Sequence, residues 1–179
     1  YKATFTWLPN FAFNHFVRTT RAEEIEKLNL SSIRSLVNCS EPALLDSHNI
    51  FVERFKNAGI SLEQISVCYA MTENTFAVTQ TPIGEQPNTD FINGAVLTKS
   101  GEAVPAPAHE TSTFPVVSCG KPIRNCDVRV IGDNGNPLVD RLVGEITIRS
   151  DSMLAEYYTR PDLTKEAFLG DWVLTGDMG

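Results

Sequence analysis

The sequence predicts an α/β fold, with a partial α/β layer on a mostly parallel sheet followed by a β-rich, distorted barrel-like subdomain. Three observations predict it. Short β-prone runs alternate with helical patterns over the first 80 residues, as strand–helix–strand units of a parallel sheet require. One helical pattern carries a continuous apolar stripe. Beyond residue 80, prolines and glycines crowd between short alternating runs, which is loop and hairpin chemistry. The shift near residue 80 divides the chain into an α/β part, residues 1–80, and a β-rich part, residues 81–179.

Taken in order, residues 3–8 form a β-prone run that Pro9 stops. Asn10 is placed to cap a short aromatic helix over residues 11–17. Residues 21–28 have helical composition, with Ala22, Ile25 and Leu28 on one face, and residues 33–37 are a short apolar strand. The clearest helix follows. Leu44, His48, Phe51, Val52 and Phe55 recur at three- and four-residue steps, with Pro42 near the start and Gly59 closing the end. Residues 65–69 and 76–79 are the next strands. Residues 81–115 hold Pro82, Pro87, Pro105, Pro107 and Pro115 with Gly84, Gly94 and Gly101, predicting loops and short strands without helix. Residues 127–131 alternate as a half-buried strand, Asn134-Gly135 predicts a hairpin, and residues 145–149 supply the return strand. Residues 162–169 predict a short helix capped by Asp162.

Composition bounds the function. The 179 residues carry a net charge of −7, with 42% hydrophobic and 21% charged residues. That mix is ordinary for a globular domain and excludes collagen, long coiled coil and intrinsic disorder. The acidic balance argues against a nucleic-acid binder, whose footprint is basic. No run approaches the ~20 apolar residues of a membrane span. Residues 1–16 are apolar but lack the basic leader and cleavage site of a signal peptide. Cys39, Cys68, Cys119 and Cys126 show no CxxC pair and no histidine at zinc spacing, so free thiols in a reducing, cytoplasmic setting are expected. The Asn-x-Ser/Thr matches at Asn29 and Asn38 are discounted without a secretion signal. Tyr1 leads the chain and its methionines are Met71, Met153 and Met178, so a segment of a longer polypeptide is expected.

Phosphate loops of the GxxxxGK[ST] type, GxGxxG turns, GxSxG elbows and HExxH helices are missing from the sequence. His15, His48 and His109 are scattered, and His48 lies in an apolar stripe as a core histidine would. Three clusters stand out: residues 38–42 between a strand and the best helix, residues 69–73 after the next strand, and residues 174–177 at the end. In α/β sheets, ligands bind beyond the carboxyl ends of strands. The first two clusters belong there. Together they offer a helix N-terminus, an aromatic ring, a hydroxyl and a carboxylate, a set suited to a nucleotide and Mg²⁺.

The order of these clusters resembles the adenylate-forming superfamily of acyl-CoA synthetases, adenylation domains and luciferases. Residues 69–73 resemble its Tyr-Gly-x-Thr-Glu. Gly144-Glu145-Ile146-Thr147-Ile148-Arg149 with Tyr157-Tyr158 resembles its Gly-Glu-Leu-x-Ile and Gly-Tyr segment. Residues 172–177 resemble Tyr-x-Thr-Gly-Asp, and Ser40-Glu41-Pro42 its Gly-Glu-Pro or Ala-Glu-Pro adenine loop. A finer similarity is to fatty-acyl-AMP ligases. It rests on Pro9-Asn10-Phe11-Ala12-Phe13, on Val117-Ser118-Cys119-Gly120-Lys121-Pro122, and on the long stretch over residues 81–116.

The resemblance implies ATP and Mg²⁺ as cofactors. It assigns nucleotide binding to Ser40, Glu41, Pro42, Tyr69, Ala70, Met71, Thr72 and Asp177. Tyr69 flanks adenine, Ser40 to Pro42 line it through their backbone, and Asp177 accepts the two ribose hydroxyls. Thr72 and Glu73 are the catalytic pair. Thr72 bonds the α-phosphate and Glu73 binds the metal. Asn10, Phe11 and Phe13 are implied acyl-pocket residues. Three departures stand against the pattern: Ala70 replaces a glycine, Ser40 replaces glycine or alanine, and Thr72 stands where many fatty-acyl-AMP ligases have alanine.

The implied activity is formation of fatty acyl-AMP and pyrophosphate, with transfer to a carrier-protein phosphopantetheine. The alternatives are transfer to CoA, or an inactive binding module of the same fold. The family's phosphate loop and C-terminal catalytic lysine are not among these residues. These residues alone are therefore expected to bind nucleotide weakly, to turn nothing over, and to expose an apolar sheet edge or face.

Overall fold

The computed structural model describes residues 2–179. In chain order the elements begin with β1 (Phe5–Leu8), α1 (Asn10–Thr19), α2 (Ala22–Ile25), β2 (Ser35–Asn38), α3 (Leu45–Phe55) and β3 (Ile65–Ala70). They continue with β4 (Ala77–Gln80), β5 (Thr89–Asn93), α4 (Gly94–Ser100), β6 (Thr113–Val117) and β7 (Lys121–Pro122). The last are β8 (Cys126–Ile131), β9 (Glu145–Ser150), α5 (Pro161–Glu166), β10 (Phe168–Leu169) and β11 (Trp172–Met178). Two compact units result. One takes the residues up to Ala70 with Thr79–Asp90 and Pro115–Lys121, and the other takes Met71–Val78, Phe91–Phe114 and Pro122–Gly179. The class is α/β, as expected.

The first unit is built on the strands β1, β2 and β3, hydrogen-bonded side by side in that order. β1 and β2 run parallel from Phe5↔Ser35 to Leu8↔Asn38, and β2 and β3 run parallel from Leu36↔Ile65 to Asn38↔Val67. All four residues of β2 and the first four of β3 are buried, as parallel strands covered on both faces require. α1 and α3 cover this sheet because their apolar stripes interlock. Phe13 meets Phe51 edge-on with ring centroids 5.1 Å apart, and Phe51 tilts against Phe55 at 4.7 Å. Ile25, Leu36, Ala58, Ile60 and Ile65 complete the core. Each fully buried large side chain contributes about 1.5–3 kcal/mol of transfer free energy. β1 ends the sheet, with Trp7 45% exposed on it. No described helix is long and apolar enough to cross a membrane.

Local expectations needed correction here. Asn10 does not cap α1. It is the first helical residue, Pro9 holds the cap position, and the buried Asn10 side chain turns inward. α2 is a single turn, and Leu28 lies 40% exposed beyond it. α3 starts at Leu45, so Pro42 stands outside it. Gly59 closes the 3₁₀ turn Lys56–Ala58 that follows α3.

The second unit centres on an antiparallel sheet of order β10-β11-β9-β8. β8 and β9 pair over six residues, from Cys126↔Ser150 to Ile131↔Glu145. Val173 of β11 sits opposite Ile148 of β9, and both are fully buried. The ring of Trp172 carries Arg129 at 3.9 Å and Arg149 at 4.9 Å from its centroid.

Three expectations for this half also change. Residues 94–100 are helical. Asn93 caps α4, its Oδ1 accepting from Ala95 N and Val96 N, and no proline falls inside it. The Asn134-Gly135 turn does not join β8 to β9 directly. Gly135 N donates to Gly132 O at 2.8 Å, and the chain returns through an Ile131↔Pro137 bridge before reaching β9. α5 begins at Pro161, whose fixed φ suits a first helical position. Asp162 is held by Arg160 rather than capping, and Phe168–Leu169 is a strand.

Candidate functional site

In the second unit, the chain beyond β3 folds into a tight turn. Met71 N donates to Phe76 O at 2.8 Å, a 3₁₀ turn covers Thr72–Asn74, and Thr75 takes φ 64°. A positive φ at a β-branched residue is a genuine outlier, and the surroundings hold it. The fully buried Asn74 amide donates to Ala77 O at 2.7 Å and accepts from the Ser150 hydroxyl. Thr75 Oγ1 donates to Ser152 O at 2.9 Å, and Leu154 N donates to Glu73 O at 2.7 Å. The segment after β9 is thus stitched along the turn, residue against residue.

The turn presents Glu73. Thr72 Oγ1 donates to Glu73 Oε2 at 2.9 Å, and the Tyr157 hydroxyl donates to Oε1 at 3.0 Å. Hydrogen bonding from Glu73's own backbone, then from Thr72, holds the carboxyl below the usual range; burial opposes this, and the Tyr157 hydroxyl adds a lesser lowering. Burial, followed by the neighbouring carboxylate, pushes the Tyr157 phenol up. The carboxylate is therefore ionised at neutral pH, with one hydroxyl donor on each oxygen and lone-pair capacity remaining. Thr72 and Glu73 are hard oxygen donors. Among the described residues no group of three or more His, Cys, Asp or Glu side chains is arranged around a metal. One carboxylate with room for phosphate oxygens and water is the donor set that Mg²⁺ favours, so Mg²⁺ fits these residues.

Asp177 lies on the same unit. Gly176, at φ 73°, bulges β11 between Leu174 and Met178. Gly176 N donates to Glu145 Oε1 at 2.9 Å, Thr175 Oγ1 to Ile146 O at 2.7 Å, and Asp177 N to Thr175 Oγ1 at 3.1 Å. The bulge re-aims the chain and leaves Asp177 exposed.

The first unit holds the other candidates. Ser40-Glu41-Pro42 and Tyr69-Ala70 lie at the carboxyl ends of neighbouring parallel strands, β2 and β3. Ser40 takes φ 74°, so a serine stands in a conformation that suits glycine. Ala70 is not among the positive-φ residues, and its methyl costs the turn nothing. Glu41 Oε2 accepts from Phe11 N at 2.9 Å, fastening the loop to the first turn of α1. Asn10 Oδ1 accepts from Leu44 N at 3.1 Å and from Asn38 Nδ2 at 3.0 Å, while Asn10 Nδ2 donates to Ser47 Oγ at 3.1 Å. Phe13 is fully buried in the core and Phe11 is 61% exposed. Asn38 Nδ2 also meets His48 Nε2 at 2.9 Å, and burial lowers the His48 pKa to about 4.

Sequence reading missed two features. Tyr157 was visible only as part of a short motif, with nothing to pair it with Glu73. The Asn10–Asn38–His48 network has no periodicity, and no spacing rule points to it.

The profile of a family described as AMP-binding enzyme matches residues 1–158. A putative acyl-CoA synthetase of Caulobacter vibrioides is 29% identical over 179 residues, covering 99% of this chain and 31% of that protein. JamA of Moorena producens, a medium-chain-fatty-acid–[acyl-carrier-protein] ligase, is 31% identical over 193 residues, covering 100% of this chain and 32% of its own. A fatty acyl-adenylate ligase of Legionella pneumophila, solved with acyl adenylate and pyrophosphate, superposes with a TM-score of 0.93 at 30% identity, covering 100% of this chain and 32% of that one. The chain spans about a third of the length of the curated relatives it matches.

Proposed function

The chain belongs to the AMP-binding enzyme family, and from that membership we propose that it carries the nucleotide-gripping part of an AMP-forming ligase that activates a fatty acid. The observation that carries this reading is the Glu73 carboxylate, ionised and oriented by two hydroxyls on a turn stitched to its neighbouring segment. A carboxylate so presented serves one charge-neutralising role at a triphosphate.

In the proposed reaction a carboxylate oxygen of the acid attacks the α-phosphorus of ATP. The bond to the bridging oxygen breaks, and pyrophosphate leaves with its electron pair. Mg²⁺, held through Glu73, supplies positive charge against the phosphates when bound. Thr72 turns its hydroxyl from Glu73 to the α-phosphate. Asp177 accepts from the two ribose hydroxyls. The Tyr69 ring flanks adenine, with Ala70 and Met71 continuing the wall and Ser40, Glu41 and Pro42 offering backbone groups. Glu41's own carboxylate stays on α1. Phe11, exposed at the start of α1, is the member of the Asn10, Phe11, Phe13 set that an acyl chain would touch. Asn10 and Phe13 support it from the core.

The acyl group then passes to a phosphopantetheine thiol on a carrier protein. The sulfur attacks the acyl carbonyl, the bond to AMP breaks, and the thiol proton goes to solvent. The likeness to JamA, an acyl-carrier-protein ligase, supports a carrier-protein acceptor, and the likeness to the Caulobacter acyl-CoA synthetase supports CoA as the second reading. Offering both acceptors to the full-length enzyme separates them by product.

The test is ATP–pyrophosphate exchange driven by a fatty acid in the full-length enzyme. Glu73→Gln is expected to lower exchange by roughly 100-fold or more, with the melting temperature kept. Exchange within a factor of two of the parent would overturn the reading.

A further inference from the structure

We propose that Tyr157 is a positioning residue for the Glu73 carboxylate, and that its hydroxyl sets the affinity of the site for a divalent cation. The inference rests on the reading of Glu73 as the metal ligand.

The Tyr157 hydroxyl reaches Oε1 at 3.0 Å while Thr72 Oγ1 reaches Oε2 at 2.9 Å. Two donors on two different oxygens fix the rotation of the carboxylate plane, which neither fixes alone. Thr72 is the anchor that can be called away, because its side chain is exposed and its single proton is also wanted by a phosphate. When that proton leaves for the nucleotide, Tyr157 is the side-chain donor that remains on the carboxylate, beside the backbone N–H.

Tyr157 is itself held from both sides. Its N–H donates to Thr164 Oγ1 at 2.9 Å, and its carbonyl accepts from Arg160 N at 2.9 Å, where the chain turns through Thr159 at φ 57°. The adjacent Tyr158, by contrast, is 85% exposed. Leu154 N, on the same segment, donates to Glu73 O at 2.7 Å. Backbone and side chain of Glu73 are thus both tied to residues 154–157. A preset carboxylate loses less freedom on meeting a cation than a free one does.

The test uses the full-length enzyme and Mn²⁺ as the metal probe. Free Mn²⁺ is followed by electron paramagnetic resonance in the presence of ATP, alongside the metal dependence of pyrophosphate exchange. Tyr157→Phe keeps the ring and removes the one donor. Its Mn²⁺ half-saturation is expected to rise about five- to tenfold, the scale of one hydrogen bond to a charged group. The melting temperature is expected to hold, and saturating metal to recover most of the lost rate. An unchanged half-saturation overturns the proposal, as does a fall in rate that metal does not recover.

Thr164→Val tests the same idea without touching the phenol. It is expected to shift half-saturation in the same direction by about two- to threefold, and no shift counts against the proposal should Tyr157→Phe fail to fold. Glu73→Gln separates the two levels. If it abolishes Mn²⁺ binding while Tyr157→Phe is silent, only the positioning inference falls. If Glu73→Gln leaves Mn²⁺ binding intact, the reading beneath it falls.

Discussion

The Asn38 amide nitrogen lies 2.9 Å from His48 Nε2, joining the end of β2 to the inner face of α3. With the amide as donor, Nε2 accepts and the imidazole is neutral, its proton on Nδ1. The same nitrogen reaches Asn10 Oδ1 at 3.0 Å, and Asn10 in turn accepts from Leu44 N. One buried amide therefore ties α1, β2 and α3 together beneath the Ser40–Pro42 loop. A neutral histidine is a condition of that arrangement, since a protonated Nε2 cannot accept.

This makes stability depend on pH. Burial lowers the His48 pKa to about 4 from its ordinary 6.5. As pH falls through 6.5, the unfolded chain takes up a proton that the folded chain refuses. The stabilising effect of the neutral histidine is full above pH 6.5 and drains away down to about pH 4. Between pH 7 and pH 5 the loss is about 2 kcal/mol. Urea denaturation at the two pH values measures it. Carboxylates such as Glu73, held below the ordinary range, contribute their own slopes, so the comparison is with His48→Gln. That variant is expected to be less stable at pH 7 but to lose about 2 kcal/mol less on going to pH 5. Parallel slopes would sink the assignment.

Gly120 is a position where a methyl group has no room. Its φ is 89°, and a Cβ would stand 2.0 Å from Gln80 C and 2.1 Å from Thr81 N. The neighbouring backbone cannot yield, because Thr79 Oγ1 donates to Cys119 O at 2.7 Å and Thr81 N to Val67 O at 2.9 Å. Gly120→Ala combines a strained backbone with overpacking and is expected to cost about 3 kcal/mol or more. The denaturation midpoint reads it, and a loss below about 1 kcal/mol would show that the loop moves aside.

What was legible in the sequence followed periodicity. The β2–α3–β3 unit could be read because His48, Phe51 and Phe55 repeat at helical spacing between two apolar runs. α4 could not, because the seven residues from Gly94 to Ser100 are too few for a pattern, and only the Asn93 cap marks its start. For the site, Thr72, Glu73 and Asp177 were visible as polar residues in a resembling order. Tyr157 was not, since its bond to Glu73 spans 84 positions and no local rule reaches that far. Asn38 and Asn10 were hidden for another reason: their bonds run to tertiary partners, through the Asn38 amide nitrogen and both ends of the Asn10 amide, and a linear pattern does not encode such partners.

The Trp172 ring separates two arginines of unequal value. Arg129 lies 3.9 Å from the ring centroid and also donates from Nε to Thr147 Oγ1 at 3.3 Å. Arg149 lies farther off, at 4.9 Å, and its ion pair with Asp127 is about half exposed. Arg129→Ala is expected to cost about 1–2 kcal/mol and Arg149→Ala less than about 1 kcal/mol. Raising the salt concentration should narrow the second cost more than the first. Chemical denaturation at two ionic strengths checks the order, and the reverse order would refute it.

Asp177 allows a chemical test of its proposed partner. The Gly176 bulge and the Thr175 hydroxyl fix the backbone around it, so Asp177→Asn should change the acceptor without moving the strand. A carboxylate accepts from both hydroxyls of a ribose, whereas an amide offers one oxygen and places donors beside the other. In the full-length enzyme, Asp177→Asn is expected to weaken ATP binding by roughly tenfold or more, with the fatty-acid KM little changed. Substituting 2′-deoxy-ATP removes one hydroxyl from the ligand side. If Asp177 grips that hydroxyl, the parent enzyme loses affinity for the deoxy nucleotide and the variant loses much less, a coupling of about 1 kcal/mol or more. Isothermal titration of the four combinations measures it. Strictly additive losses would mean that Asp177 acts on the nucleotide only through general charge, and the ribose assignment would fail.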